Sequence, residues 1–378
     1  MKKINRLADE KIRIKSANVW MVELPMKKPF TTSFGSITRR PFLVVELVCD
    51  ETGYGEAAVL PEPTYNGEDV ETAKRMLSIL LPKIVSSKVC YNDVKETMSA
   101  YKGHNIAKSA VDYAFWYAIS KITDVPLLSM TNPSKDRFRV QESVPIGSLK
   151  LISDWVEGAY ERGVRSIKLK IMPGHSWRIA KYVKENYDPE FISVDANASF
   201  DPRNKSHVEE LHKVSEYVDE IEQPFRAKNL LAHARLSESV KPVISLDESI
   251  ESLDDAIEYS ELAGRKAVIN IKPPRLGGLY SSWELAVEMA RRGTECFMGG
   301  LLETSLGRGF NMAIATMKSV CDKYPADFSP ASDFYKDDIT KTSFEIENGI
   351  IRTPKSRTVP FEVDRGKLRQ YGRIIASY

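Results

Sequence analysis

Between residues 166 and 272 of this 378-residue chain, five short apolar runs each close on a charged side chain. These are Lys170, Asp195, Glu222, Asp247 and Lys272, at intervals of 25, 27, 25 and 25. A step of that size holds one strand, one helix and two short loops. Extended in both directions, the alternation predicts eight strands: Val140–Ile146, Ser166–Ile171, Phe191–Asp195, Val218–Glu222, Val243–Asp247, Val268–Lys272, Glu295–Met298 and Phe328–Ala331. Eight such units close into an α/β fold, the (β/α)8 barrel, whose functional residues sit at the C-terminal ends of the strands. A doubly wound open sheet competes with this reading. It lacks here the glycine-rich fingerprint that should follow its first strand.

The barrel pattern starts after Val125-Pro126, so residues 1–125 form a separate unit. Its apolar alternation at Ser16–Leu24 and its β-branched run at Phe42–Val48 read as strands, with Gly53 and Gly55 marking a turn. Helical periodicity follows from Glu68 to Lys121, and Ala107–Ala118 is its clearest amphipathic stretch. The expectation is an α+β capping domain over 1–125, a barrel over 126–335, and a segment over 336–378 that returns to the cap. That last segment carries a hairpin signal at Asn348-Gly349. Two small, polar stretches, Thr31–Thr38 and Pro61–Gly67, read as mobile loops that close over a barrel mouth, with Ser33 and Tyr65 as candidate substrate contacts.

A net charge of +2 provides no global field for nucleic acid, and no window reaches membrane-spanning length. Four cysteines without ligand or disulfide spacing fit a cytoplasmic protein. A homo-oligomer acting on a small carboxylate is expected.

Lys168 and Lys170 leave their strand on one face, since residues two apart point the same way. Alone, such a pair reads as an exposed edge strand bearing anti-aggregation charges. The barrel places these lysines beside Asp195, Glu222 and Asp247, with Lys272 on the following strand. Each acid singly reads as a helix cap. Three at matching depth make an oxygen-only site suited to Mg²⁺, with Mn²⁺ as a substitute. A non-catalytic binding or scaffold barrel is the opposing class; it has no use for buried like charges, whose cost is on the order of several kcal/mol.

This arrangement resembles the enolase superfamily, muconate-lactonizing branch. Five segments are similar to the o-succinylbenzoate synthase / N-succinylamino acid racemase group: Ile221-Glu222-Gln223-Pro224, Leu246–Ile250, Asn270-Ile271-Lys272, Gly277-Gly278-Leu279 and Gly299–Arg308. The resemblance implies metal ligands at Asp195, Glu222 and Asp247. It implies proton abstraction alpha to a carboxylate through an enediolate, with Lys170 as base, Lys168 as its electrostatic partner and Lys272 on the opposite face of the substrate. Asn197 and Glu248 would support the metal position, Arg275 would act on Lys272, and Glu303 would bind substrate or hold Lys272. Gly299 and Gly300 would offer backbone N–H groups to a carboxylate; a phosphate loop is the competing use of such glycines. Thr304-Ser305-Leu306 and Pro273-Pro274 depart from the group's usual residues, and the acid it usually has after Trp116 is missing. The activities implied are o-succinylbenzoate synthase first, N-succinylamino acid racemase second, and muconate or chloromuconate cycloisomerase third. Dipeptide epimerase ranks last, because the predicted eighth strand lacks an Asp-x-Asp. No histidine falls at a strand end, which argues against the branches that need a catalytic one.

Overall fold

A computed structural model describes residues 2–32, 35–174 and 176–378. In the N-terminal part, β1 (Ser16–Thr32), β2 (Gly35–Val48) and β3 (Gly53–Ala57) form an antiparallel sheet. The first two pair from Ser16↔Val48 out to Thr32↔Gly35, making one long hairpin. The expected loop at Thr31–Thr38 is therefore mostly strand, in keeping with the β-branched Thr31, Thr32, Ile37 and Thr38. Ser33 lies outside the described residues.

Helices α1 (Val70–Ile84) and α2 (Asn105–Thr123) pack on this sheet. The second ends at Asp124, which adopts a left-handed conformation (φ 53°), just before Val125-Pro126. It is not amphipathic in place: every residue from Ile106 to Ser120 is buried. The cap sheet covers one side and barrel helices the other, so its few polar side chains must find partners inside. Gly53 and Gly55 serve this packing rather than a turn. A Cβ on either would come within 2.0 Å of a helix carbonyl, of Ala114 and Ala110 respectively.

Seven parallel strands follow in sequential order: β4 (Glu142–Val144), β5 (Ser166–Lys170), β6 (Phe191–Asp195), β7 (Glu220–Glu222), β8 (Val243–Leu246), β9 (Ala267–Ile271) and β10 (Glu295–Met298). Helices α3 (Leu149–Glu161), α4 (Ser176–Tyr187), α5 (Lys205–Val214), α6 (Leu230–Ser239), α7 (Leu253–Ala263) and α8 (Leu279–Arg292) connect them, and α9 (Ser305–Ala315) follows the last. The sheet curls into a half-barrel. The expected eighth strand at Phe328–Ala331 does not form: Pro330 has no N–H for a ladder, and a short helix starts at Ala331. Instead Ala326 and Asp327 reach both sheet edges. Gln141 N donates to Ala326 O (3.0 Å), and Asp327 N donates to Met298 O (2.9 Å).

The tail makes its tight turn at Asn348-Gly349, both at positive φ. Across it Glu347 and Ile350 pair antiparallel, exchanging N–H···O bonds of 2.9 and 3.1 Å, and the strand that begins there, Ile350–Arg352, goes on to pair with Arg137–Arg139. Farther on, β11 (Gly372–Ser377) adds to β1 as the fourth strand of the N-terminal sheet. Among the described residues no helix is long and apolar enough to cross a membrane.

Buried carboxylates from the cap hold the barrel helices by their N-termini. Asp112 of α2 accepts Leu279 N at the start of α8 (2.6 Å), the Tyr91 hydroxyl (2.6 Å) and Trp116 Nε1 (3.2 Å). Glu56 of β3 accepts Thr304 N, the cap residue of α9 (3.1 Å). Such ends carry unpaired N–H groups and favour negative charge. Asp112→Ala leaves three buried donors without an acceptor, so it should cost about 3 kcal/mol in denaturant unfolding. A loss under about 0.5 kcal/mol would mean that the donors find other partners.

Candidate active site

Parallel register sets the depth of each side chain. Lys170 is opposite Asp195, and Asp195 opposite Glu222, across β5, β6 and β7. Asp247 follows β8 and Lys272 follows β9, so these groups converge at one end of the curled sheet. Lys168 is fully buried, with its Nζ 2.6 Å from Glu222 Oε2, 2.9 Å from Asp327 Oδ2 and 3.5 Å from Asp195 Oδ2. Lys170 is one-third exposed and lies 2.6 Å from Asp195 Oδ2 and 2.9 Å from Asn197 Oδ1. Lys272 lies 2.8 Å from Asp247 Oδ2, and Arg275 binds the other oxygen of that carboxylate.

The Pro61–Gly67 segment enters this site. The Tyr65 hydroxyl donates to Asp247 Oδ1 (2.9 Å) and accepts from Arg275 (3.0 Å), while the Lys272 ammonium stands 5.1 Å from the centre of its ring. Glu68, just after the segment, is fixed by α2, accepting Ile106 N (2.9 Å) and Ala107 N (3.1 Å). Asn105 ties the same helix start to the barrel, donating to Glu251 O (2.9 Å) and Arg275 O (2.8 Å). Asn197 joins the site by donating to Glu248 Oε1 (3.0 Å).

Several expected residues behave otherwise. Glu303 is fully buried, and its partners do not include Lys272. It accepts Leu301 N (2.9 Å) and Asn311 Nδ2 (2.8 Å) and pairs with Arg308 (3.3 Å), because the chain turns into α9 directly after it. Gly299 has its N–H committed to Ile271 O (2.9 Å). Its lack of a side chain serves packing, since a Cβ there would sit 2.9 Å from Lys272 Cε; at Gly300 it would collide with Arg308. Sequence reasoning misses Asp327, because the predicted eighth strand begins one residue too late to include it. It misses Gln223 as well, whose Oε1 accepts Asp247 N (3.0 Å) and Ser249 N (3.2 Å), holding the loop that carries Asp247. The Glu-Gln-Pro segment is the only signal for that residue.

Five buried or half-buried carboxylates (Asp195, Glu222, Asp247, Glu248, Asp327) gather with four cations (Lys168, Lys170, Lys272, Arg275), and a sixth, Glu220, is buried two residues deeper on β7. Burial pushes Glu222 up to about 7, and burial with the neighbouring Asp247 pushes Glu248 up to about 8. Burial opposes ionisation of Asp247 too, but Lys272 and Arg275 outweigh it and hold that carboxyl down to about 2. Burial favours the neutral form of Lys168, yet Asp327, Glu222 and Asp195 together hold it charged. Among the described residues no three acids are already gathered as a metal cluster; each of Asp195, Glu222 and Asp247 is turned onto an ammonium. The donor set still fits a hard divalent ion: three buried carboxylates on adjacent strands, in a site whose acids outnumber its cations.

The chain matches two family models: the enolase C-terminal domain-like family over residues 152–364, and the N-terminal domain of mandelate racemase / muconate lactonizing enzyme over 15–131. It is 33% identical to an o-succinylbenzoate synthase of Geobacillus kaustophilus, over 93% of each chain. It is 32% identical to an N-succinylamino acid racemase of Thermus thermophilus, over 91% of this chain and 93% of that protein. A crystal structure of an enolase-superfamily member from Listeria innocua superposes with a TM-score of 0.89 at 28% identity, covering 97% and 98% of the two chains.

Proposed function

Because this chain belongs to the enolase superfamily, we propose that it removes a proton alpha to a carboxylate with Mg²⁺, as an o-succinylbenzoate synthase that also racemises N-succinylamino acids. The observation that carries this is the placement of Lys170 and Lys272 on β5 and after β9, with three carboxylates on the strands between. Completion of the half-barrel to a (β/α)8 barrel by residues 326 and 327 belongs to the same reading, as does a cytoplasmic setting.

Asp195, Glu222 and Asp247 would hold the metal. When bound, it supplies the positive charge that makes an alpha proton acidic enough to remove. Lys170 is the most exposed of the three lysines and takes that proton. Lys168, charged and enclosed beneath the acids, adds positive charge to the site without facing the substrate. Lys272 faces the substrate from the other side, and Arg275 and Tyr65 fix the carboxylate that orients it. Tyr65 and its segment exclude water from the reacting face. In dehydration, Lys170 passes the abstracted proton to the departing hydroxyl on the same face and leaves an aromatic ring.

The racemase reading keeps its own support in the Thermus relative. The test supplies Mg²⁺ and either the hydroxylated cyclohexadiene carboxylate that dehydrates to o-succinylbenzoate or single enantiomers of N-succinylamino acids. Aromatisation with racemisation is the expected result. Racemisation alone would move the assignment to the racemase. Turnover of neither substrate would overturn both.

A further inference from the structure

Glu220 lies two residues before Glu222 on β7, inside the curled sheet, and takes no part in the contacts above. It is fully buried, and no donor stands in good hydrogen-bond geometry to either carboxylate oxygen among the described residues; the Ser245 hydroxyl is its neighbour, and burial pushes the acid up to about 8. Gln141 Nε2 and Ser245 Oγ, which are buried in the same sheet, are likewise unpartnered. Phe191, Val268, Phe297 and Tyr324 form a separate apolar cluster that plugs the other end of the interior. An enclosed carboxylate needs a cation or several donors to answer it.

The register supplies a cation. Lys168 is opposite Ser193, and Ser193 is opposite Glu220, so the lysine and the acid share one row two strands apart, a span on the order of 10 Å. Lys168 already crosses that span: its ammonium reaches β7 and lies on Glu222 Oε2 at 2.6 Å. Glu222 Oε1 is occupied by Asn270 Nδ2 at 2.8 Å. A metal ion on Glu222 thus competes with Lys168 for one carboxylate, and the two cations repel each other.

We infer that Glu220 is a second seat for the Lys168 ammonium, a positioning residue to which it turns when a divalent ion occupies Glu222. The move takes the ammonium off Asp327 and one side-chain repeat deeper along the same strand of acids, where its charge still acts on the site from below. The inference rests on the Mg²⁺ reading above.

Its test is Mg²⁺ titration calorimetry on the wild type, Glu220→Leu, Glu220→Gln and Glu220→Asp, with melting points measured without metal. Glu220→Leu should bind Mg²⁺ about 10–100-fold more weakly, the range for residues that support ligands without touching the ion. Its metal-free melting point should be unchanged or higher, because an apolar side chain of similar size suits the enclosed position. Glu220→Gln should also weaken binding, and Glu220→Asp should restore most of it. Equal Mg²⁺ affinity in the wild type and Glu220→Leu overturns the inference and leaves the metal reading standing. Weaker binding matched by a lower melting point in every variant also overturns it, as general damage to the barrel. If Glu220→Leu does not fold, the Gln and Asp pair decides the question. A wild type that binds no Mg²⁺ removes both readings.

Discussion

Lys170→Ala is expected to lower turnover by roughly 10²–10⁴-fold, the usual contribution of a positioned general base. Mg²⁺ binding should not weaken, because Lys170 holds Asp195 at 2.6 Å and removing it removes a competitor rather than a ligand. Racemisation separates the lysines further. With an N-succinylamino acid in D₂O, Lys170→Ala should stop alpha-proton exchange from one enantiomer and Lys272→Ala from the other. Each single variant should keep part of the complementary exchange. Lys168→Ala should impair both enantiomers alike, since Lys168 is fully buried among Glu222, Asp327 and Asp195 and has no face of the substrate to serve. In dehydration, Lys170→Ala should show that full loss of roughly 10²–10⁴-fold, and Lys272→Ala should also cripple turnover by removing a stabilising cation. Near-normal turnover in Lys170→Ala would falsify the base assignment. Equal loss for both enantiomers in both variants would count against two independent bases.

Much of this site is legible in the sequence because a parallel sheet converts spacing along the chain into position. Strands of nearly equal length joined by helices of nearly equal length put residues 170, 195, 222, 247 and 272 at one end of the fold. What is not legible depends on contacts distant in sequence. Asp327 belongs to a segment too short for a strand pattern, fixed only by single hydrogen bonds to both sheet edges. Composition points to Tyr65, but its grip on Asp247 and Arg275 comes from Glu68 and Asn105 at the start of α2. Asp112 reads as a polar interruption on an amphipathic helix and is the acceptor for a helix of the other domain. Glu303 sits next to apparent pocket residues in sequence, and its carboxylate is taken up by Leu301 N, Asn311 and Arg308 around the start of α9.

The stabilisation that Mg²⁺ confers should grow steeply with pH, and the sign follows from the acids. Burial raises Glu222 from 4.5 to about 7, and burial with Asp247 raises Glu248 to about 8. An acid raised in the folded state binds its proton more tightly than the unfolded chain does. Its contribution to stability is therefore full below the unfolded value of 4.5 and is lost as pH rises through about 7 to about 8. Asp247, held down to about 2 by Lys272 and Arg275 against its burial, behaves in the opposite sense. Its stabilisation is present above the unfolded value of 3.8 and is lost only as pH falls toward 2. A divalent ion binds the deprotonated carboxylates, so its affinity is held down by protons across the Glu222 and Glu248 window. At a hundredfold excess over its dissociation constant it adds about 2.7 kcal/mol, which is a shift of a few degrees in melting point. That shift should be close to zero near pH 5.5 and fully developed near pH 9, each about a unit or more outside the window. Asp195→Asn, Glu222→Gln and Asp247→Asn should each abolish the shift at the higher pH, together with activity. Each protein should remain folded, because in every case at least one acid is left to face the lysines. A shift of equal size at both pH values would mean that Glu222 and Glu248 carry no proton for the metal to expel. A full shift in Asp195→Asn would place the ion elsewhere, and activity surviving exhaustive chelation would remove it from the reaction.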